Sequence, residues 1–207
     1  IVLIGGRIIP SFTRNWLARE NPGRLPSPFA GFDVAVVATS AVVLLAWIYR
    51  QDGPVIGSAF ALAGMLHIIR LARWAGDRTF GERLVLILHV GYAFVPLGFL
   101  LVAASAFNLI PPSAGLHAWM AGAAGVMTLA VMTRASLGHT NRPLTASLST
   151  QGIYVAVVVA ALARICAVIS PDWSGRLLHI ASFAWVLAFL GFAVCFGPTL
   201  LAETKRR

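Results

Sequence analysis

Six apolar stretches, separated by short polar segments, set the fold class of this 207-residue chain. A helix rises about 1.5 Å per residue and needs about 20 apolar residues to cross a bilayer. Only 11% of the residues are charged, against roughly a quarter in a soluble domain. The sequence therefore predicts an all-α, polytopic transmembrane helix bundle. The predicted spans are Phe32–Tyr49, Pro54–Ile69, Leu84–Phe107, Gly115–Thr133, Thr150–Ile169 and Leu177–Phe196.

The start of the chain is also apolar, but no basic segment or cleavage site follows the pattern of a signal peptide. We interpret Ile1–Ile4 as the end of a preceding helix, and the stretch from Arg14 to Ala30 as a loop. Residues 1–207 then form a single membrane domain, which we expect to be the C-terminal part of a longer protein.

The basic residues predict the orientation of the bundle. Three of the 16, Arg50, Arg176 and the intramembrane Arg164, fall on one side of the predicted spans, and the other thirteen fall on the opposite side. Because basic loops stay in the cytoplasm, the loop from Arg70 to Arg83 and the C-terminus are predicted to be cytoplasmic. The same distribution across the membrane argues against nucleic-acid binding, which would gather basic residues on one soluble face.

Four of the five histidines lie inside the apolar stretches, and the fifth, His139, follows the fourth of them. An ionisable side chain inside a membrane is costly and marks a functional site. Imidazole binds iron, copper and zinc, so the pattern indicates a metal or haem site without choosing the metal. The intramembrane histidines are His67, His89, His117 and His179.

Depth along the helices sorts these histidines into two layers. His67 and His89, with His139 as an open third member, lie toward the cytoplasmic side, whereas His117 and His179 lie toward the external side beside Arg164. The cytoplasmic pair could flank one haem, with propionates directed toward nearby arginines. The arginines assigned to that role are Arg70 and Arg73.

Each of these residues also has a structural explanation. A histidine near a helix end can bond a carbonyl or interfacial water, and His179 is the nearest to the interface. Met120, one turn after His117, is either a soft copper ligand or a filler of the helix contact. No carboxylate lies well inside a predicted span, which counts against a proton-coupled transporter.

Four sequence runs resemble the NnrS family. They are GGRIIPSFTRN at residues 5–15, LHVGY at 88–92, LHAW at 116–119 and MTRASLGHTNRP at 132–143. The resemblance covers the whole chain and implies the C-terminal half of a roughly twelve-helix bacterial membrane protein that contains haem and copper. It points to His89, His117 and His139 as functional positions, with Arg134 and Arg142 beside His139.

The resemblance implies a role in nitric oxide metabolism or in protection against nitrosative stress, in the bacterial cytoplasmic membrane. Nitric oxide is then the expected ligand, and the N-terminal half of the same protein is the expected partner, within the lipid bilayer. Two alternatives stay open: a membrane electron-transfer cytochrome of the b type without copper, and a transporter or channel subunit. Copper content distinguishes the electron-transfer cytochrome from the haem- and copper-containing protein. A transporter or channel subunit is expected to be colourless.

Overall fold

The computed structural model describes residues 1–202, and within this range the chain is all-helical, without a strand. Its seven helices are joined by short turns. They are α1 (Val2–Glu20), α2 (Gly31–Tyr49), α3 (Pro54–Ala72), α4 (Arg83–Ala106), α5 (Ser113–His139), α6 (Leu148–Ile169) and α7 (Ser174–Ala202).

Helices α2 to α7 are each long and apolar enough to cross a membrane, which confirms the predicted polytopic helix bundle. The predicted spans agree with these helices, except that α5 continues beyond Thr133 to His139 and α7, from Ser174 to Ala202, is longer than its predicted span at both ends. His139 therefore ends a helix and does not follow one. Three basic residues used for the orientation, Lys205, Arg206 and Arg207, lie outside the described residues.

Helix α1 corrects the interpretation of the first 30 residues. The helix that was predicted to end at Ile4 continues through Pro10 to Glu20, so the predicted loop from Arg14 begins inside α1. The helix persists because Ile9, Thr13 and Leu17 repeat at every fourth position and bury one stripe against the bundle. The polar residues between them face outward, so their number alone gave a misleading indication of a loop.

Helix α4 forms the centre of the bundle. Of its most apolar stretch 67% is buried, against 22% for α2 and for α7, which lie at the periphery. It contacts α1, α3 and α5, while α6 and α7 form the closest pair. The side chains of Tyr92, Phe94 and Phe99 fill the centre of the core. A residue on α4 can therefore meet partners from several helices.

The connecting segments lie at the two ends of the bundle, and segments that join different helices meet there. Arg78, in the turn after α3, donates to the carbonyls of Asn21 and Pro22, each at 3.0 Å, and Arg24 pairs with Asp77. The segment that follows α1 therefore lies against the turn that precedes α4. At the opposite end, Gly53 donates its backbone N–H to the carbonyl of Ala106 at 2.9 Å.

Candidate functional site

His67 lies on α3 with both ring nitrogens engaged by protein atoms. Its Nε2 is 2.8 Å from Ser40 Oγ on α2, and its Nδ1 is 2.9 Å from Tyr92 Oη on α4. The ring stacks on Phe99 at a centroid distance of 5.2 Å and is fully buried. A metal could bind His67 only after one of these hydrogen bonds is broken.

Arg70 fixes the direction of these hydrogen bonds. Its Nη1 donates to Tyr92 Oη at 2.9 Å, and a guanidinium can only donate. The tyrosine proton is therefore left for Nδ1 of His67, which carries its own proton on Nε2 and donates it to Ser40. Ser40 in turn donates to the carbonyl of Val36 at 2.8 Å. The chain of hydrogen bonds is complete, as a buried polar network requires.

Asp33 is the counterion of Arg70. Arg70 Nε donates to Asp33 Oδ1 at 2.8 Å, and the two side chains are 0% and 5% exposed. The second oxygen of Asp33 accepts the backbone N–H of Ala30, at the start of α2. Arg70 also donates to the carbonyl of Val2, and only its Nη2, which lies against Gly6, has no partner. A haem propionate would have to contact this Nη2, which Gly6 covers, or Arg70 would have to release one of its present partners.

His89, on α4, differs from His67 in having one free nitrogen. Its Nε2 is 2.8 Å from Thr13 Oγ1 on α1. The hydroxyl of Thr13 donates its single proton to the carbonyl of Ile9, also at 2.8 Å, so it must accept from His89. The imidazole is therefore protonated at Nε2, and Nδ1 holds a lone pair. Although His89 is only 6% exposed, Nδ1 has no hydrogen-bond partner.

Gly76 faces this lone pair at a position where only a residue without a Cβ fits. A Cβ built on Gly76 would lie 2.6 Å from His89 Nδ1, closer than a Cβ atom approaches another atom in folded proteins. The ring of Trp74 closes another side of His89, at a centroid distance of 6.5 Å. A metal-bound histidine ordinarily donates its other N–H to a protein acceptor, which is the relation of His89 to Thr13. These residues fit a metal ion at Nδ1.

The same geometry fits a porphyrin less well. The turn Gly76–Arg78 lies directly against the Nδ1 side of the imidazole. His67 and His89 also do not face a common space, because the rings of Tyr92 and Trp74, 4.6 Å apart, connect one histidine to the other. A haem between the two predicted ligands would require this turn and these rings to move.

The residues that were predicted to form the external layer do not all lie together. His117, Met120 and Arg164 line one cavity of about 530 Å³ between α5, α6 and α7. His179, on α7, is exposed and does not line this cavity. A π-helical segment, Ala118–Gly125, begins directly after His117, and such wide turns occur frequently at functional sites.

The remaining predicted residues lie at the same end of the bundle as the turn after α3. His139 and Arg142 are exposed, and Arg73 stacks over Phe32 at 4.6 Å. Arg134 lies 4.2 Å from the ring of Phe12 and lines a separate polar cavity of about 450 Å³. This contact joins two of the sequence runs, 5–15 and 132–143, although more than a hundred residues separate them.

No group of three or more histidine, cysteine, aspartate or glutamate side chains is close enough to hold a metal within residues 1–202. Cys166 and Cys195 are both exposed and free. In this part of the chain, each histidine site therefore offers fewer than three such donors. A site at His89 would need its other ligands from a cofactor, from solvent or from another chain segment.

Four residues of these sites were absent from the sequence prediction. Thr13, Gly76 and Ser40 contact the buried imidazoles, and Asp33 neutralises Arg70. Thr13 had a readable signal, because it lies on the buried stripe of α1. The pairing of Asp33 with Arg70 depends on how α2 and α3 align, which the sequence does not state.

Comparison with known proteins agrees with the resemblance described above. The profile of the NnrS protein family matches residues 1–203, which is almost the whole chain. Searches of curated proteins and of solved structures give no match. The matched region includes His89, His117 and all four sequence runs. The chain belongs to the NnrS family.

Proposed function

We propose that this chain forms part of a haem- and copper-containing membrane protein that acts in nitric oxide metabolism or in protection against nitrosative stress. Membership of the NnrS family supports the proposal, since the resemblance implies both cofactors. The observation that carries it is the imidazole of His89, which is buried, oriented by Thr13 and free at Nδ1.

His89 is the first proposed metal ligand. Thr13 holds the proton on Nε2, so the lone pair of Nδ1 stays directed toward Gly76. The buried ring of Trp74 helps to exclude water from this side of the imidazole. When bound, a metal centre supplies an open coordination position for nitric oxide. The protein contributes the orientation of the His89 imidazole and an environment from which water is excluded.

The other histidines are proposed in an order that follows their geometry. His117 is second, because it shares a cavity with the soft sulfur ligand Met120. His67 is third, because its nitrogens are already hydrogen-bonded, and it serves first to connect α2, α3 and α4. His139 is exposed and could act only with ligands from elsewhere, and His179, which is exposed and outside the cavity of His117, is the least favoured of the five.

We place the protein in the bacterial cytoplasmic membrane with its C-terminus in the cytoplasm. The basic turn that contains Arg73 and Arg78 lies at the same end of the bundle as the basic segment around Arg24. This arrangement supports a single positively charged cytoplasmic face.

The test is a reduced-minus-oxidised absorption spectrum of the purified full-length protein, recorded with and without nitric oxide, together with its copper and iron content. The proposal expects both metals and a haem spectrum that shifts when nitric oxide is added. Haem without copper would support an electron-transfer cytochrome instead. A colourless protein without metal would overturn the proposal and favour a transporter or channel subunit.

A further inference from the structure

The cavity between α5, α6 and α7 has a polar end and an apolar end. At a rise of about 1.5 Å per residue, Arg164 lies about 7–8 Å from the external end of α6, and His117 lies about 6 Å from that of α5. Trp185 and Val186 lie deeper, at roughly 16–18 Å along α7. The cavity therefore extends from near the interface to about the middle of a 30 Å hydrocarbon core.

Arg164 brings a positive charge to the polar end without a counterion. It makes no ion pair and no hydrogen bond within residues 1–202. No carboxylate lines the cavity, whose other polar side chains are His117 and Ser182. A guanidinium at this depth is costly unless an anion or water satisfies it. The charge therefore selects for an anionic group at this end.

The deeper walls of the cavity favour a ligand with an apolar part. Ala160 and Ala181 leave the width of the groove open, and Trp185 and Val186 supply apolar surface. A small oxyanion would satisfy Arg164 but would leave these walls uncovered. The ligand that fits both ends carries a negative head and a hydrocarbon tail.

The cavity opens toward the side of the bundle. Met120 is 69% exposed and Val186 is 59% exposed, and both lie well inside their helices. Within residues 1–202 these side chains are left uncovered, so a lipid molecule of the bilayer can reach the cavity without crossing these helices. Lipid tails run parallel to the helices, as the long axis of the cavity does.

We propose that this cavity binds one anionic phospholipid of the external leaflet. Its phosphate lies against the Arg164 guanidinium, within reach of Ser182, and one acyl chain lies along Ala160, Trp185 and Val186. Guanidinium groups suit this role because they bond phosphate oxygens in pairs. The site is independent of the metal site proposed at His89, which lies toward the other face, whereas a metal at His117 and this lipid are alternative occupants of one cavity.

The experiment measures the phospholipids that stay with the full-length protein after purification in a mild detergent, by extraction and mass spectrometry. Wild-type protein should retain phosphatidylglycerol above its proportion in the membrane. Arg164→Gln should retain about fivefold less, the change that corresponds to one basic residue near an anionic surface. Arg164→Lys keeps the charge and should retain most of the lipid.

Two further variants separate the site from a general charge effect. Arg176→Gln removes a basic residue that lies near the same face but outside the cavity, over the ring of Trp173, and should leave retention unchanged. Ser182→Leu fills the cavity without changing its charge and should displace the lipid. Equal retention by wild type and Arg164→Gln would overturn the proposal. Loss of haem from Arg164→Gln with unchanged phospholipid would also overturn it, since Arg164 would then serve a carboxylate of the cofactor.

Discussion

Thr13 accepts a hydrogen bond from His89 Nε2 at 2.8 Å, and this contact between α1 and α4 determines which imidazole nitrogen is free. The relation holds because Thr13 has already given its proton to Ile9. A buried imidazole held in one tautomer, with a lone pair facing a glycine, is prepared for a metal. The other buried histidine, His67, has no such nitrogen.

Thr13→Val should weaken metal binding at His89 while the helices stay folded. Valine has nearly the same shape but cannot accept the Nε2 proton, so the tautomer is no longer fixed. Loss of such a supporting hydrogen bond typically lowers metal affinity about 10- to 100-fold. A chelator titration of the purified protein measures the change. Thr13→Ser keeps the acceptor and should bind metal as wild type does; equal affinity in the valine variant would show that Thr13 does not orient a ligand.

Gly76→Ala should reduce the metal content, because its Cβ would lie 2.6 Å from His89 Nδ1 and occupy the space in front of the lone pair. Metal analysis of the purified variant checks this, with circular dichroism to confirm the helical content. Gly152→Ala is the matched control, since nothing lies within 4 Å of its added Cβ and alanine favours a helix. Full metal occupancy in the Gly76→Ala variant would mean that the metal does not bind at His89 Nδ1.

Asp33→Asn should destabilise the bundle strongly. It removes the counterion of a fully buried guanidinium, and breaking one side of a buried pair costs about 3–5 kcal/mol. Thermal unfolding in detergent measures the loss. Asp77→Asn breaks the exposed pair with Arg24 and should cost at most about 1 kcal/mol. If Asp33→Asn and Asp77→Asn lost similar amounts of stability, the Asp33–Arg70 pair would not be buried in the folded protein.

The helix bundle was predictable because the bilayer requires long apolar segments, and the ends of α2 and α6 agree with the prediction within two residues. Helix α1 was not, because an amphipathic helix with Pro10 and several arginines resembles a polar loop when only its composition is read. Its burial becomes evident only from the spacing of Ile9, Thr13 and Leu17.

The candidate site was predictable in part. The depth argument placed His67 and His89 in one layer, but it could not tell that Tyr92 and Trp74 come between them. It placed Arg164 beside His117, and the two do line one cavity. The difference between His67 and His89 depends on which hydroxyl each nitrogen meets, and this follows from the rotation of the helices, which the sequence pattern does not determine.

The most direct test of the metal site is the copper and iron content of purified full-length His89→Ala, measured beside wild type and His179→Ala. His179 is exposed, so its replacement controls for the loss of any membrane histidine. The proposed site predicts that His89→Ala loses one of the two metals and its nitric oxide response, while His179→Ala and the wild type keep both. Unchanged metal content and an unchanged nitric oxide response in folded His89→Ala would contradict it.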